Sequence, residues 1–369
     1  MKILKKEREI LQKMINNSHN LGQYYGEIKK IKDGRRKKLI EKVILTKEQK
    51  KEIDYFYIEN YGKKIKYDWH RLYTSYTGKF DKMYFPEILY STKLEPLLNP
   101  YDYRKVLDDK LLLDVYIHNV NNVRIPNKVA YSYYDVNCDM NNNIISKNVM
   151  AKLIFKHGDV IIKPSQDTNS GIGVQCINKD NYKNEKDIFE LISSLNYPFI
   201  VQERVKQCKE LNKLNPSSVN TFRIITYLLN GKIYHVGVIL RIGRNGSIVD
   251  NSHAGGIFIN VSDDGMLGKT AFSEFQEKFE MHPDTKIRFE NYRIPQMKEL
   301  INCAYKMHLN CPQLGVISWD FTIDENNVFV LIEANTQSQS FGLPQRVGKS
   351  VFGENTAAIL KLISKRRKK

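Results

Sequence analysis

Two short runs toward the C-terminal end constrain this chain most: Ser318-Trp319-Asp320-Phe321-Thr322-Ile323 and Val330-Leu331-Ile332-Glu333-Ala334-Asn335, joined by the polar Asp324-Glu325-Asn326-Asn327. Apolar runs flanking a turn of that composition read as a β-hairpin. Pairing the strands brings Asp320 together with Glu333 and Asn335, three hard oxygen donors. Mg²⁺ takes a few carboxylate oxygens plus water and phosphate oxygens, and a second Mg²⁺ can share Glu333. The hairpin therefore suits two Mg²⁺ ions on a nucleotide, ATP. The competing reading makes Asp320 a strand-end polar residue and Glu333-Ala334-Asn335 a turn.

A second signal lies at Asp159-Val160-Ile161-Ile162-Lys163-Pro164, followed by a Ser/Asn/Gly loop that contains Ser170, Gly171 and Gly173 and ends at Gln175. A lysine closing a buried apolar strand is costly unless an anion waits for it. Phosphate is the natural anion, because such a loop brings backbone N–H groups close to its oxygens, and both glycines permit positive φ. The Gly-x4-Gly-Lys-Ser/Thr order of a P-loop is absent. A Gly-rich hairpin without a ligand remains the alternative. Third, the apolar strand Pro198 to Val205 carries Gln202 and Glu203, with Glu210 just beyond. Where such a strand continues as a linker, its backbone can meet an adenine edge, and Glu210 suits ribose hydroxyls.

In this order and spacing the pieces resemble the ATP-grasp superfamily, most visibly the D-alanine–D-alanine ligase pattern. The resemblance implies an α+β fold of two lobes gripping ATP. It makes Lys163 and the Ser170 to Val174 loop the phosphate cradle, Glu203 and Glu210 the adenine and ribose acids, and Asp320, Glu333 and Asn335 the metal ligands. It also adds Lys110, after Asp109, as a second phosphate lysine. Several such ligases carry an arginine two positions before the first metal aspartate, and here that position is Ser318. The resemblance then passes the acyl-phosphate to another cation, Arg241 or else Arg223. Strand alternation turns both toward the cleft if Phe222, Ile224, Leu240 and Ile242 face the core.

A narrower resemblance, from about Tyr84 onward, is to the sugar-transfer-associated ATP-grasp group. It rests on Phe85-Pro86-Glu87, Leu94-Glu95-Pro96, Asn220-Thr221-Phe222-Arg223, His253-Ala254-Gly255-Gly256, His282-Pro283-Asp284-Thr285 and the hairpin. It implies a carboxylate–amine ligase that joins an amino acid or amine to an anionic sugar acid for surface polysaccharide, with a kinase acting on a hydroxyl as the alternative. Asn251, His253, Gly255 and Gly256 are then candidates for the acceptor site, and the Ser165 to Gly173 loop for a lid. After His-Pro-Asp-Thr the group often has Gly, where this chain has Lys286.

At 369 residues and 41% apolar the chain can bury an ample core. No apolar run approaches the roughly 20 residues of a membrane helix, and the start lacks a signal-peptide apolar region, which predicts a cytoplasmic protein. Five scattered cysteines read as reduced thiols. The net charge of +17, with basic runs at 29–30, 35–38, 47–51 and 365–369, raises nucleic acid as a partner. No nucleic-acid motif accompanies those runs. Their periodicity (Ile10, Leu11, Met14, Ile28, Ile31, Leu39, Val43) favours a solvated helical face, ahead of peripheral contact with anionic membrane or a lipid-linked glycan. The expected divisions are a helical, basic, aromatic-rich extension at 1–105, a connecting segment at 106–150, a small lobe at 151–206 and a large lobe at 207–369. Helices are expected over Leu107 to His118, Lys183 to Leu195, Pro295 to His308 and Asn355 to Lys365.

Overall fold

The computed structural model describes residues 20–166, 171–348 and 350–367. Among these the strands form two sheets. The larger runs in the spatial order Val123–Arg124, Phe329–Asn335, Val316–Ile323, Thr221–Leu229, Lys232–Ile242, Ile257–Val261, Ala271–Phe272 and Lys278–Phe279. Its pairs are antiparallel except at the Val123–Arg124 edge, which runs parallel to its neighbour. The smaller sheet is antiparallel throughout, in the order Val136–Asp139, Lys128–Tyr133, Phe199–Glu203, Val160–Pro164 and Gln175–Ile177. Its core of Val129, Ile162, Val201 and their neighbours is closed by the helices Lys147–His157 and Glu185–Ser194. The small lobe thus begins before residue 151, because Lys128–Tyr133 pairs with Phe199–Glu203 and buries Val129 and Ala130 with it.

Alternation along the central strands of the large sheet divides their residues cleanly. Phe222, Ile224, Leu240, Ile242, Trp319 and Phe321 share one core with the helix Met297–Leu309. The opposite face is treated in two ways along its length. Toward one end Ile225, Tyr227, Val236 and Val316 are covered by the N-terminal helix Lys47–Tyr61 and the C-terminal helix Thr356–Arg367. Toward the other end the same face carries Arg223, Arg241 and Asp320, and there it lines a cleft.

The N-terminal region is helical over 20–32, Gly34–Glu41, Lys47–Tyr61 and Asp68–Thr77. Thr46 and Gln49 cap the third of these reciprocally, and the phenol of Tyr57 donates to the Tyr84 carbonyl at 2.6 Å. The expected solvated basic face holds in part only. Arg36, inside the 35–38 run, is buried in an ion pair with Glu274. The periodicity residues Ile10, Leu11 and Met14 lie outside the described residues, as does the end of the 365–369 run.

The helix expected over Leu107 to His118 is broken. It comprises Tyr101–Leu107, a 3-10 turn at Lys110–Leu112 and Asp114–Ile117. Asp109 caps the turn through the Leu111 N–H, and the Lys110 N–H donates to Ser165 rather than to its own helix. No described helix is long and apolar enough to cross a membrane. The five cysteines are free and buried.

Candidate active site

The cleft floor is built by strand register. Asp320 stands opposite Arg223 on one side and Glu333 on the other, while Arg241 stands opposite Thr221. Arg223 grips both Asp320 oxygens, Nε to Oδ1 at 2.6 Å and Nη2 to Oδ2 at 2.7 Å, and Arg241 Nη2 adds a contact to Oδ2 at 3.0 Å. All three residues are buried. Burial alone would push the Asp320 carboxyl up, but the two guanidiniums outweigh it and hold it below the usual carboxylate range. Asp250 completes the set. It accepts from the Thr221 N–H at 3.0 Å and the Thr221 hydroxyl, and lies 3.6 Å from Arg241 Nε.

Glu333 reaches this floor through a register irregularity. The pairing steps from Asp320 opposite Glu333 to Phe321 opposite Leu331. Leu331 and Glu333 would share a face of a regular strand, and the bulge instead puts Leu331 in the core and Glu333 in the cleft. There its Oε1 meets Lys110 Nζ at 2.9 Å. Burial disfavours the Lys110 charge, but Glu333 outweighs it and the ammonium is held above its usual range.

Lys163 is different. Its nearest polar partner is the Ile332 carbonyl at 3.4 Å, and no carboxylate pairs with it among the described residues. Burial, helped by the like charge of Lys110, lowers its pKa to about 8.

At the small-lobe end, Pro126, Ile161, Val174, Gln202 and Val205 line an apolar slot. Gln202 donates Nε2 to the Pro126 carbonyl at 3.2 Å, while its buried Oε1 has no partner among the described residues. Glu203 lines the same slot, held by Arg124 Nη1 at 2.5 Å and Asn127 Nδ2 at 2.8 Å. Gly171 and Gly173 both take positive φ, +76° and +77°. A Cβ on Gly173 would meet Pro164 Cγ at 2.8 Å, so the loop lies tight against the strand that carries Lys163. Ser170 falls outside the described residues, as does the middle of the expected lid.

Glu210 is not among the residues lining the cleft. It sits in the first turn of Lys209–Leu214, a helix anchored by Leu211 and Leu214 in the core, and its carbonyl accepts from the Tyr292 phenol at 2.8 Å. The structure does not bring it together with the other candidate residues of the cleft.

Asn251 and His253 line the far rim, whereas Gly255 and Gly256 form the turn behind them and do not. Gly256 is held so closely that a Cβ would meet the Asp250 carbonyl at 2.2 Å. Several motif residues act from behind. Glu95, buried and pushed up to about 7 by burial, accepts the N–H groups of Ser338 and Gln339, and Glu87 accepts that of Gly342. These two acids fix the loop over 336–342 that walls the cleft. His282 and Asp284 hold Gly243 and Asn245, just past Arg241. Lys286, where glycine is the commoner residue of the motif, takes φ +59°.

Sequence reasoning missed Asp250 and the rim residues Gln23 and Lys30. The helix over 20–32 delivers these last two to the cleft, with Gln23 Nε2 donating to Ser338 Oγ at 2.9 Å. Lys30 is clamped to Glu27 at 2.6 Å.

The cleft encloses about 460 Å³, within the usual span of ligand pockets, roughly 300–1,000 Å³. An apolar slot with a buried acceptor, two lysines beyond it and an Arg–Asp floor match in sequence the base, phosphates and reacting group of a nucleotide-driven transfer. The donors fit a hard divalent ion. Asn335 turns Nδ2 toward Asp320 Oδ2 and the Ser318 carbonyl, each at 3.4 Å, which leaves its oxygen for a cation beside Glu333. Among the described residues no three His, Cys, Asp or Glu side chains form a metal cage. An ion here would share its ligands with phosphate and water.

The sequence profile of a family described as sugar-transfer associated ATP-grasp matches residues 89–361. No curated protein matches the chain. Among solved structures it is similar to N5-carboxyaminoimidazole synthetase from Staphylococcus aureus complexed with ADP, at 14% identity over 69% of this chain and 53% of that one, with a TM-score of 0.40. It is also similar to D-alanyl-alanine synthetase A from Vibrio cholerae O1 biovar eltor, at 16% identity over 70% of this chain and 64% of that one, with a TM-score of 0.41. The match thus spans less than two thirds of either of those proteins.

Proposed function

We propose that this chain, which belongs to the sugar-transfer associated ATP-grasp family, is a cytoplasmic ATP-dependent ligase that joins a carboxylate to an amine through an acyl-phosphate. Its substrates would be an anionic sugar acid and an amino acid or other amine, in the assembly of surface polysaccharide. The observation that carries the reading is Lys163: a buried ammonium without a carboxylate partner among the described residues, facing a floor whose arginines are already placed. Such a charge is stable once a phosphate supplies the missing anion.

In the first step a carboxylate oxygen of the sugar acid attacks the γ-phosphorus of ATP, and the bond to the β,γ-bridging oxygen breaks, releasing ADP. In the second the amine nitrogen attacks the acyl carbon, phosphate leaves and the nitrogen loses a proton. Mg²⁺, held by Asp320, Glu333 and Asn335, would supply charge neutralisation at the phosphates. Lys163 and Lys110 would orient the β- and γ-phosphates. Arg241 and Arg223, preorganised by Asp320 and Asp250, would stabilise charge developing on the acyl-phosphate. The loop over 336–342 and the helix over 20–32 would wall off water from that intermediate.

Phosphate release measured against a panel of sugar acids and amines tests the reading. Release should require a carboxylate and an amine together. Phosphate retained on a sugar hydroxyl would replace the ligase by a kinase.

A further inference from the structure

Among the described residues four acids line the cleft: Glu203, Asp250, Asp320 and Glu333. Three of them are engaged. Glu203 is held by Arg124 and Asn127, Asp320 has both oxygens gripped by guanidiniums, and Glu333 meets Lys110. Asp250 is engaged on one side only. Its Oδ2 takes the Thr221 N–H and hydroxyl and faces Arg241, whereas its Oδ1 has no hydrogen-bond donor among the described residues. The residue is 8% exposed, and a carboxylate oxygen so placed is costly unless a ligand supplies the donor.

Its surroundings say where such a donor would lie. Val249, the preceding residue, packs against the loop that carries Gly171, where a Cβ would stand 3.4 Å from Val249 Cγ1. Asp250 Oδ2 is 3.6 Å from Arg241 Nε, and Arg241 Nη2 is 3.0 Å from Asp320. Asp250 thus stands between the loop of the small lobe and the arginine floor. His253, the other base on this side, stands farther out: its side chain is 46% exposed and its Nδ1 lies 3.9 Å from Glu274.

The second step of the ligase reading needs a base there. At neutral pH an amine is an ammonium ion, with no lone pair to attack an acyl carbon until one proton is removed. We propose, resting on that reading, that Asp250 Oδ1 binds the ammonium group of the amine substrate and removes its proton. The freed lone pair forms the bond to the acyl carbon, and the bond from that carbon to the phosphate oxygen breaks. The departing phosphate takes the second proton from nitrogen, and Asp250 returns the first to water. Burial, with the like charge of Asp320, outweighs Arg241, Thr221 and Arg223 and holds the Asp250 carboxyl above its ordinary range, which strengthens it as a base.

Two small nucleophiles separate this role from a structural one. Hydroxylamine and ammonium are nearly the same size, but hydroxylamine is already uncharged at neutral pH and needs no base. The full-length protein is given Mg-ATP, a panel of sugar acids that includes glucuronate and galacturonate, and either nucleophile at saturation. Hydroxamate and amide are then measured by mass spectrometry. In Asp250→Asn both products fall, because Arg241 loses a charged neighbour, so the readout is their ratio. Amide relative to hydroxamate should drop at least about a hundredfold, the lower range for a general base. Arg241→Lys is the reference and should lower both together, leaving the ratio unchanged.

The wild type supplies a second measurement that needs no folded variant. Its ratio should stay level between about pH 7 and 9, whereas without a base it would climb about tenfold per pH unit with the fraction of free ammonia. A climbing wild-type ratio, or an unchanged ratio in Asp250→Asn, overturns the proposal. Hydroxamate without any amide in the wild type also overturns it and leaves the ligase reading standing. Neither product with any acid overturns the ligase reading, and the role of Asp250 with it.

Discussion

The floor of the cleft and its small-lobe wall use positive charge in opposite ways. On the floor, Arg223 and Arg241 are locked to Asp320, with Asp250 beside them, in contacts of 2.6–3.6 Å. On the wall, Lys163 has a carbonyl at 3.4 Å and, among the described residues, no carboxylate. A floor with its counter-charges built in needs no ligand to balance its guanidiniums, which are placed before reaction begins. The wall holds a charge that folding leaves unmatched. Stability should therefore depend on the floor and nucleotide affinity on the wall.

The severest test of that contrast is Asp320→Asn. It strands the buried Arg223 guanidinium and leaves Arg241 with Asp250 alone, and denaturant unfolding should register a loss of about 3–5 kcal/mol. A loss below about 1 kcal/mol would remove the distinction. Lys163→Met should do the reverse: stability unchanged or raised, with ATP affinity by calorimetry ten- to hundredfold weaker, as expected for loss of a charge-assisted contact of about 1.5–3 kcal/mol. Arg241→Lys probes the floor's geometry at constant charge. Turnover should fall roughly tenfold with ATP affinity little changed, since a point charge does not reproduce the fork.

A pH series sharpens the contrast further. The folded pKa of Lys163, about 8, lies below the ordinary value of 10.5, so the unfolded chain binds more protons between them. Its contribution to stability should then rise as pH climbs from about 8 to 10.5, and that rise should be missing in Lys163→Met. Over the same range ATP affinity should fall, by at most about tenfold per pH unit. The smallest effect is a control away from both regions. Lys286→Gly relieves a left-handed backbone at φ +59° and should stabilise the protein by about 0.5–1 kcal/mol without altering ATP affinity.

What the sequence made legible was whatever depends on period and on local turn chemistry. Alternation along Thr221–Leu229 and Lys232–Ile242 was enough to turn Arg223 and Arg241 away from Phe222 and Leu240. The polar turn at 324–327 was enough to bring Asp320 beside Glu333. The bulge that aims Glu333 was hidden, because nothing in Val330 to Asn335 marks an extra residue. Leu107 to His118 has good helical periodicity, yet Lys110 donates its N–H to Ser165, a tertiary contact that overrides propensity. Glu210 had the right spacing but belongs to a helix whose apolar side decides its direction. Lys30 was read as part of a solvated basic face and Gln23 was not singled out, since only packing reveals that their helix walls the cleft.

The same register that places the floor also fixes when it can form. Arg223 meets Asp320 across 97 residues of chain, and Lys163 meets Ile332 across 169. Contacts so distant in sequence require loop-closure entropy to be overcome before they return anything, which places them among the slow steps of folding. The helices, being local, form ahead of them. Helical signal on refolding should therefore recover early and nucleotide binding late, so that ATP competence marks the point at which this chain has finished folding.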